Sequence, residues 1–280
     1  MKVDDDMEIK EIVQSKDKIS RKYIQKTNDN FRIETTYVDY SNKNIICFST
    51  QVGCNMGCKF CYNGLKNNFK RNLSYKEICV QIENVINSEN INNNKPILFS
   101  AMGIGEPLIN YNNVISTFNY LNNKYKNSKF ALATCGVNVK YILKLVEDLK
   151  YIDNFKLMIS LHSANENKRM NIMPSSNNLR DLVKAVKEYK KISGKKVEWN
   201  YVLFENINDT KEDAYELFKL LGKDEYIKIN KFNKVNISNL SESKNVKVFI
   251  QELKNYNMQV EYYETNGEDI NAACGQMISE

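Results

Sequence analysis

The residues with the clearest capacity for chemistry are three cysteines in the run Gln51-Val52-Gly53-Cys54-Asn55-Met56-Gly57-Cys58-Lys59-Phe60-Cys61. Their CxxxCxxC spacing puts three thiolates on one loop. Three thiolates can ligate three irons of a 4Fe–4S cluster and leave the fourth iron open, whereas a tetrahedral structural zinc requires a fourth ligand. A zinc loop would have to borrow Cys79 or Cys135. A second candidate is Gly103-Ile104-Gly105-Glu106-Pro107, in which glycines let the backbone approach a ligand and a carboxylate can accept an ammonium group; alone, such a run reads equally as a tight turn. Cys47 and Cys274 stand apart from the cluster, and on residue type alone both read as small buried hydrophobes. The single histidine, His162, excludes histidine-rich zinc sites and makes a Ser-His-Asp triad improbable.

The elements that must position these residues follow from periodicity. Short β-rich runs are expected at 44–49, 96–102, 129–135, 155–162, 196–204 and 226–232, with amphipathic stretches between them at 74–86, 110–121, 139–149, 179–192, 211–221 and 245–256. Six βα units with right-handed crossovers make a parallel sheet that curls into a partial barrel, with its chemistry at the C-terminal strand ends. A last strand is expected over 258–265, before a flexible tail. Residues 1–40 carry alternating segments such as Phe31-Arg32-Ile33-Glu34-Thr35-Thr36-Tyr37-Val38, read as a β-hairpin extension, with residues 41–280 as the barrel and its tail. With 280 residues, 42% of them hydrophobic, the chain can bury a core without disulfide staples. Forty Lys and Arg against 34 Asp and Glu give +6, which permits an anionic partner without demanding one. The acidic start Met1-Lys2-Val3-Asp4-Asp5-Asp6 is unlike a signal peptide, and no apolar run approaches the roughly 18 residues of a membrane span, so a cytoplasmic protein is expected. Seven cysteines then read as metal or redox residues. Lys184, Lys187, Lys190, Lys191, Lys195 and Lys196 read as the solvated face of an outer helix.

The cysteine triplet with an aromatic residue before its third member is also the radical-SAM signature, and further motifs occur in the same order as in one family. They are Ser49-Thr50-Gln51-Val52-Gly53-Cys54, Phe69-Lys70-Arg71-Asn72-Leu73, Gly103 to Leu108, Ile159-Ser160-Leu161-His162 and Asp269-Ile270-Asn271-Ala272-Ala273-Cys274-Gly275-Gln276. From about Ile33 to Met277 the chain resembles the RlmN and Cfr family of radical-SAM RNA methyltransferases. The resemblance implies an α/β fold, a partial (β/α)6 radical-SAM barrel, and methylation of adenine at ring carbon 2 or 8 in ribosomal or transfer RNA. A non-RNA small molecule or peptide is the alternative substrate. It implies a 4Fe–4S cluster on Cys54, Cys58 and Cys61, and a pocket for S-adenosylmethionine (SAM) formed by Gly105, Glu106, Ser160, Leu161, His162 and Asn233. Two SAM molecules are used per turnover, because a ring carbon that is itself electrophilic cannot take a methyl group from an electrophile. One SAM methylates Cys274. Another is cleaved to a radical that activates the S-methyl group for addition to the ring, and Cys47 resolves the resulting thioether through a transient disulfide. Glu34 corresponds to the family's proton acceptor, against its plain reading as a surface carboxylate.

The resemblance further implies a flavodoxin- or ferredoxin-type electron donor, a monomer and no membrane association. Three departures are visible. Ala133 stands where a serine is usual, so one SAM contact is expected to be missing or replaced by Thr134. Asn266 stands where arginine is common, and an additional helical domain of the family is absent from the sequence; weaker RNA binding is expected from both. Cys79, after the capping box Ser74-x-x-Glu77, and Cys135 are expected to be packing residues.

Overall fold

The computed structural model describes residues 7–92 and 94–279, so the acidic start lies outside the described residues. Seven strands form the parallel part of the sheet: β4 (Lys43–Cys47), β7 (Ile97–Ala101), β8 (Ser128–Thr134), β9 (Phe155–Ser160), β10 (Val197–Val202), β11 (Tyr226–Asn230) and β12 (Gln259–Tyr263), adjacent in that order. Each neighbouring pair is parallel. The crossovers carry α2 (Tyr75–Ser88), α3 (Tyr111–Lys124), α4 (Val139–Asp148), α5 (Glu166–Ile172) with α6 (Leu179–Ser193), α7 (Lys211–Leu221) and α8 (Val246–Asn255). Parallel strands cannot be joined by a tight turn, so each pair requires a helix that covers one sheet face. Helix α2 shows why these sequences comply: Ser74 and Glu77 form the expected capping box, and Ile78, Ile82, Val85 and Ile86 fall on one buried face. Phe48, Phe99, Phe118 and Phe130 meet in the core beneath the helices.

The expected strands end one or two residues early, and at β9 and β10 the early end has a local cause. His162 adopts a left-handed backbone (φ +56°) just beyond β9. Beyond β10, the Asn208 side chain donates to the carbonyl of Val202 (2.8 Å) and accepts from the N–H of Phe204 (2.7 Å), replacing ladder bonds. Chain peeled from the sheet in this way becomes the loop layer at the C-terminal strand ends.

The expected hairpin is a larger unit. Strands β1 (Glu8–Gln14), β2 (Ser20–Lys26) and β3 (Arg32–Tyr40) form an antiparallel meander, and β3 pairs antiparallel with β4, so the extension and the barrel share a ten-stranded sheet. Short elements invisible to periodicity complete the fold: α1 (Tyr62–Lys66), α5, and a two-stranded ladder of β5 (Gln51–Val52) with β6 (Arg71–Asn72) that braces the cysteine loop. Among the described residues no helix is long and apolar enough to cross a membrane.

Candidate active site

A cavity of about 720 Å³ occupies the bore of the sheet. Cys54, Cys58 and Cys61 line its end at the C-terminal strand ends, on the loop between β5 and α1. Burial raises all three thiols above their ordinary range, Cys54 to about 12, while backbone N–H groups of Met56 toward Cys54, and of Asn63 and Gly64 toward Cys61, favour the thiolates. Buried thiolates backed by amides suit a cationic cluster, which offsets their burial. Among the described residues no three His, Cys, Asp or Glu side chains could hold a single metal ion, and Cys79 sits on α2, bonded toward Thr117 and Tyr75. The donor set therefore fits a multinuclear cluster better than a zinc ion. Phe60 fixes the loop by packing edge-on to His162 (4.8 Å between centroids) and stacking on Phe204 (5.7 Å).

Glu106 stands beside this loop, 5% exposed. Its carboxylate accepts from the hydroxyl of Thr134 (2.5 Å), from the N–H of Leu108 (3.0 Å) and from the N–H of Cys135 (3.0 Å). No cation pairs with it among the described residues. Burial raises its pKa despite the three donors, so an incoming ammonium would supply the missing charge. Gly105 is obligatory here: its φ is +110°, and a Cβ would lie 2.6 Å from the side chain of Gln51. Ala133 lines the cavity with a methyl group; Thr134 lines it too, its hydroxyl donating to Glu106 and accepting from the N–H of Gly136.

His162 is 4% exposed and neutral, its pKa held down to about 3 by burial and by Arg169. Nδ1 accepts from the N–H of Val202 (3.1 Å), which places the proton on Nε2. Ser160 lines the cavity. Leu161 does not: its side chain is in the core, its N–H bonds to Asn200 and its carbonyl to Arg169. Asn233 lines the cavity with Oδ1 lacking a partner among the described residues, while its Nδ2 donates to Thr265 (3.3 Å) and to the carbonyl of Cys274 (3.2 Å).

Cys47 and Cys274 both line the cavity, and all seven cysteines are free thiols. A thiolate at Cys274 would push the Cys47 thiol up further than its burial already does. Cys274 faces the open cavity yet is enclosed by protein; burial raises its thiol and the Lys228 ammonium draws it back down. The tail is not loose. Its backbone is held by Thr36 to Ala272 (3.2 Å), Tyr62 N–H to Gly275 (2.8 Å) and Asn63 to Met277 (2.7 Å), and by Glu34, which accepts from the N–H of Ile278 (2.9 Å). Glu34 is fully buried, paired with Arg32 (3.1 Å) and Lys22 (3.5 Å), and is absent from the cavity lining.

Sequence reasoning overlooked Arg169. It is fully buried, and its guanidinium donates to the carbonyls of Leu161 (3.1 Å), Asn177 (2.6 Å), Cys135 (2.7 Å) and Ser160 (3.4 Å), tying the loops after β8 and β9 together. Nothing in local charge spacing distinguishes it from a surface arginine. Cys135 packs as expected, in a buried cluster with Met56, Ile172 and Met173, and it also lines the cavity next to Glu106.

A model of the Radical SAM superfamily matches residues 48–220. A protein of Dictyoglomus turgidum named "Probable dual-specificity RNA methyltransferase RlmN" is 34% identical over 269 residues, covering 92% of this chain and 75% of its own length. A crystal structure of a radical SAM methyltransferase from Sphaerobacter thermophilus superposes with a TM-score of 0.88 at 28% identity, over 97% of this chain and 81% of that one. SuiB of Streptococcus suis, solved with bound S-adenosylmethionine, shares the fold alone: TM-score 0.58, 14% identity, 82% of this chain and 57% of its own. A three-cysteine loop and a cation-seeking carboxylate at the mouth of such a barrel, together with this relatedness, show that the chain belongs to the radical SAM superfamily and, within it, to the RlmN and Cfr family of methyltransferases.

Proposed function

We propose that the chain methylates a ring carbon of adenine in RNA, carrying the methyl group on Cys274 and releasing the product with Cys47. One observation carries the reading: two thiols that no cluster requires stand in the same cavity as the three-cysteine loop and Glu106. The RNA substrate is supported by the name of the Dictyoglomus relative. The cofactors are a 4Fe–4S cluster and SAM, as the superfamily implies. Cys54, Cys58 and Cys61 would hold the cluster, which when bound supplies the electron for reductive cleavage of SAM.

This chain's own residues do the rest. Glu106 takes the ammonium of SAM, Gly105 admits its backbone, and the unpartnered Oδ1 of Asn233, the Nε2–H of His162 and the Ser160 hydroxyl offer polar contacts. The Cys274 thiolate, favoured by Lys228, attacks the methyl group of a first SAM, and S-adenosylhomocysteine leaves. Once the methyl carbon is joined to the ring, Cys274 is tied to RNA as a thioether. The Cys47 thiolate then attacks the Cys274 sulfur: an S–S bond forms, the S–C bond breaks, and the released carbon takes up a proton. Glu34 is the family's proton acceptor by position, and its contacts here support holding the tail that presents Cys274. In this reading residues 41–280 contain the thiols and the SAM pocket, residues 1–40 are the extension, and its described part, from Met7, closes the side of the barrel. We further take the protein to be a cytoplasmic monomer reduced by a flavodoxin- or ferredoxin-type donor.

The decisive experiment incubates anaerobically reconstituted protein with SAM and adenine-containing RNA, followed by nucleoside mass spectrometry and peptide mapping. Methyladenosine, one methyl group on Cys274, and an RNA adduct trapped by Cys47→Ala are expected. An unmethylated Cys274 together with full activity of Cys274→Ala would refute the assignment.

A further inference from the structure

The cavity does not stop at the two thiols. It runs from the cysteine loop to Pro96 and Asn154, which precede β7 and β9 at the opposite end of the sheet. Its charge is uneven along that axis, and the one lining lysine at the cysteine end, Lys231 just beyond β11, is paired with Glu268 (2.7 Å). Glu106, at the cysteine end, is the one carboxylate among the described lining residues, whereas Lys43, Lys129, Lys156 and Lys228 enter the bore from the first three residues of β4, β8, β9 and β11. Lys156 and Lys228 share one buried partner, Glu198, at 3.0 and 3.4 Å. Lys43 rests against the Tyr40 ring (5.4 Å to its centroid), and neither it nor Lys129 has a carboxylate partner among the described residues. Lys43, Lys129 and Lys156 therefore stand at the opening, while the Lys228 ammonium lies deeper, near enough to Cys274 to favour its thiolate.

Hydrogen bonds tie the other sides of the cavity. The side of the barrel is bridged by Asn266 to the Tyr40 hydroxyl (3.0 Å), by Thr36 to the carbonyl of Ala272 (3.2 Å) and by the N–H of Lys16 to Asp269 (2.9 Å). Above the cysteine end, the N–H of Lys59 bonds to Ile172 (3.0 Å) and Ser238 donates to the carbonyl of Lys59 (2.8 Å), roofing the loop. The cavity gives a ring a path to Cys47 and Cys274 from the lysine end. Lys43 and Cys47 are the first and last residues of β4, so about 13 Å of strand separates the rim from the thiol. That depth suits one nucleotide splayed out of a single strand, with its own and flanking phosphates left at the rim; stacked or paired bases could not follow it. SAM has one carboxylate, on the same carbon as the ammonium that Glu106 takes, so that carboxylate belongs to the cysteine end and not to these lysines.

We propose that this opening is the docking surface for single-stranded RNA, with Lys43, Lys129 and Lys156 on backbone phosphates and one adenine passed up the bore. The inference rests on the RNA reading above and deepens it.

The test uses the reconstituted full chain and a single-stranded adenine-containing RNA over a range of salt. In Lys43→Gln/Lys129→Gln/Lys156→Gln the KM for RNA should rise at least about tenfold, and the slope of log affinity against log salt should shrink by about 2, at roughly 0.7 for each lost contact to a single strand. The corresponding Lys→Arg triple should retain most of the affinity, and Lys129→Glu alone should weaken binding. A control triple on the exposed face of α6, Lys184→Gln/Lys187→Gln/Lys191→Gln, should change the slope far less. If the wild-type protein methylates RNA while the rim triple keeps the wild-type KM and slope, or the control triple loses as much, the docking site is wrong and the function stands. If the wild-type protein methylates Cys274 but binds and methylates no RNA, both fall, and an anionic peptide or small molecule takes the place of RNA.

Discussion

At the scale of single residues, the site is a set of buried groups whose charges are incomplete. Glu106 has three hydrogen-bond donors and, among the described residues, no cation, so an arriving ammonium would compensate its burial. Glu106→Gln should weaken SAM binding about 10- to 100-fold, the range of a lost hydrogen bond to a charged group, as read by equilibrium dialysis. Unchanged affinity would remove the carboxylate from the SAM pocket. Cys54, Cys58 and Cys61 invite a compositional test: each change to Ala should abolish SAM cleavage, and the wild-type protein should contain iron and sulfide in a 4:4 ratio on the basis of cluster ligation. Stoichiometric zinc in a colourless protein would contradict it. For Cys47 the sign is set by burial, which raises its thiol above the ordinary range. Below that pKa the thiolate fraction grows tenfold per pH unit, so release of RNA from the covalent adduct should accelerate by up to about tenfold per unit between pH 7 and 9. Single-turnover release that is flat with pH would show that another group takes the Cys47 proton.

At the scale of elements, the loop layer is more rigid than its composition suggests. The C-terminal tail is fastened to β3 through Glu34 and Thr36 and to the cysteine loop through Tyr62 and Asn63, so the methyl carrier and the cluster ligands are placed by one shared set of bonds. Glu34→Gln keeps an acceptor for the N–H of Ile278, whereas Glu34→Ala also strands Lys22 and Arg32. If Glu34 is chiefly a tether, the Gln variant should keep the tail resistant to limited proteolysis and transfer methyl groups, and the Ala variant should lose both. If it is the proton acceptor, the Gln variant should protect the tail yet stall after adduct formation. Arg169 does the corresponding work between the loops after β8 and β9. Removing it leaves several buried carbonyls without donors, at about 1–3 kcal/mol each, so Arg169→Met should destabilise the fold by at least about 3 kcal/mol in urea titration.

At the scale of the whole molecule, the hydrophobic core under the helices holds the curvature that makes a bore. Phe118 is fully buried and meets Phe48, Phe130 and Phe155, at ring separations of 6.1, 5.1 and 6.1 Å. Phe118→Ala should cost about 3–5 kcal/mol, measured by denaturant unfolding. The βα alternation was readable in the sequence because helices and strands write different periods into it, and α4 and α7 begin where their apolar patterns begin. The cysteine loop and Glu106 were readable because their spacing is local and backbone geometry turns such spacing into proximity. Glu34 and Arg169 were not, because burial is a property of what packs around a side chain, supplied by segments up to 244 residues away in the case of Glu34 and Ile278. Nor could the sequence show that the extension continues the barrel sheet, since pairing of β3 with β4 depends on a turn of two residues and on edges left open elsewhere. Local pattern determined the elements and their chemistry. The tertiary structure alone decided which charges are buried without partners, which loops hold the tail, and that three lysines distant in sequence stand at one opening, because those are consequences of long-range contacts.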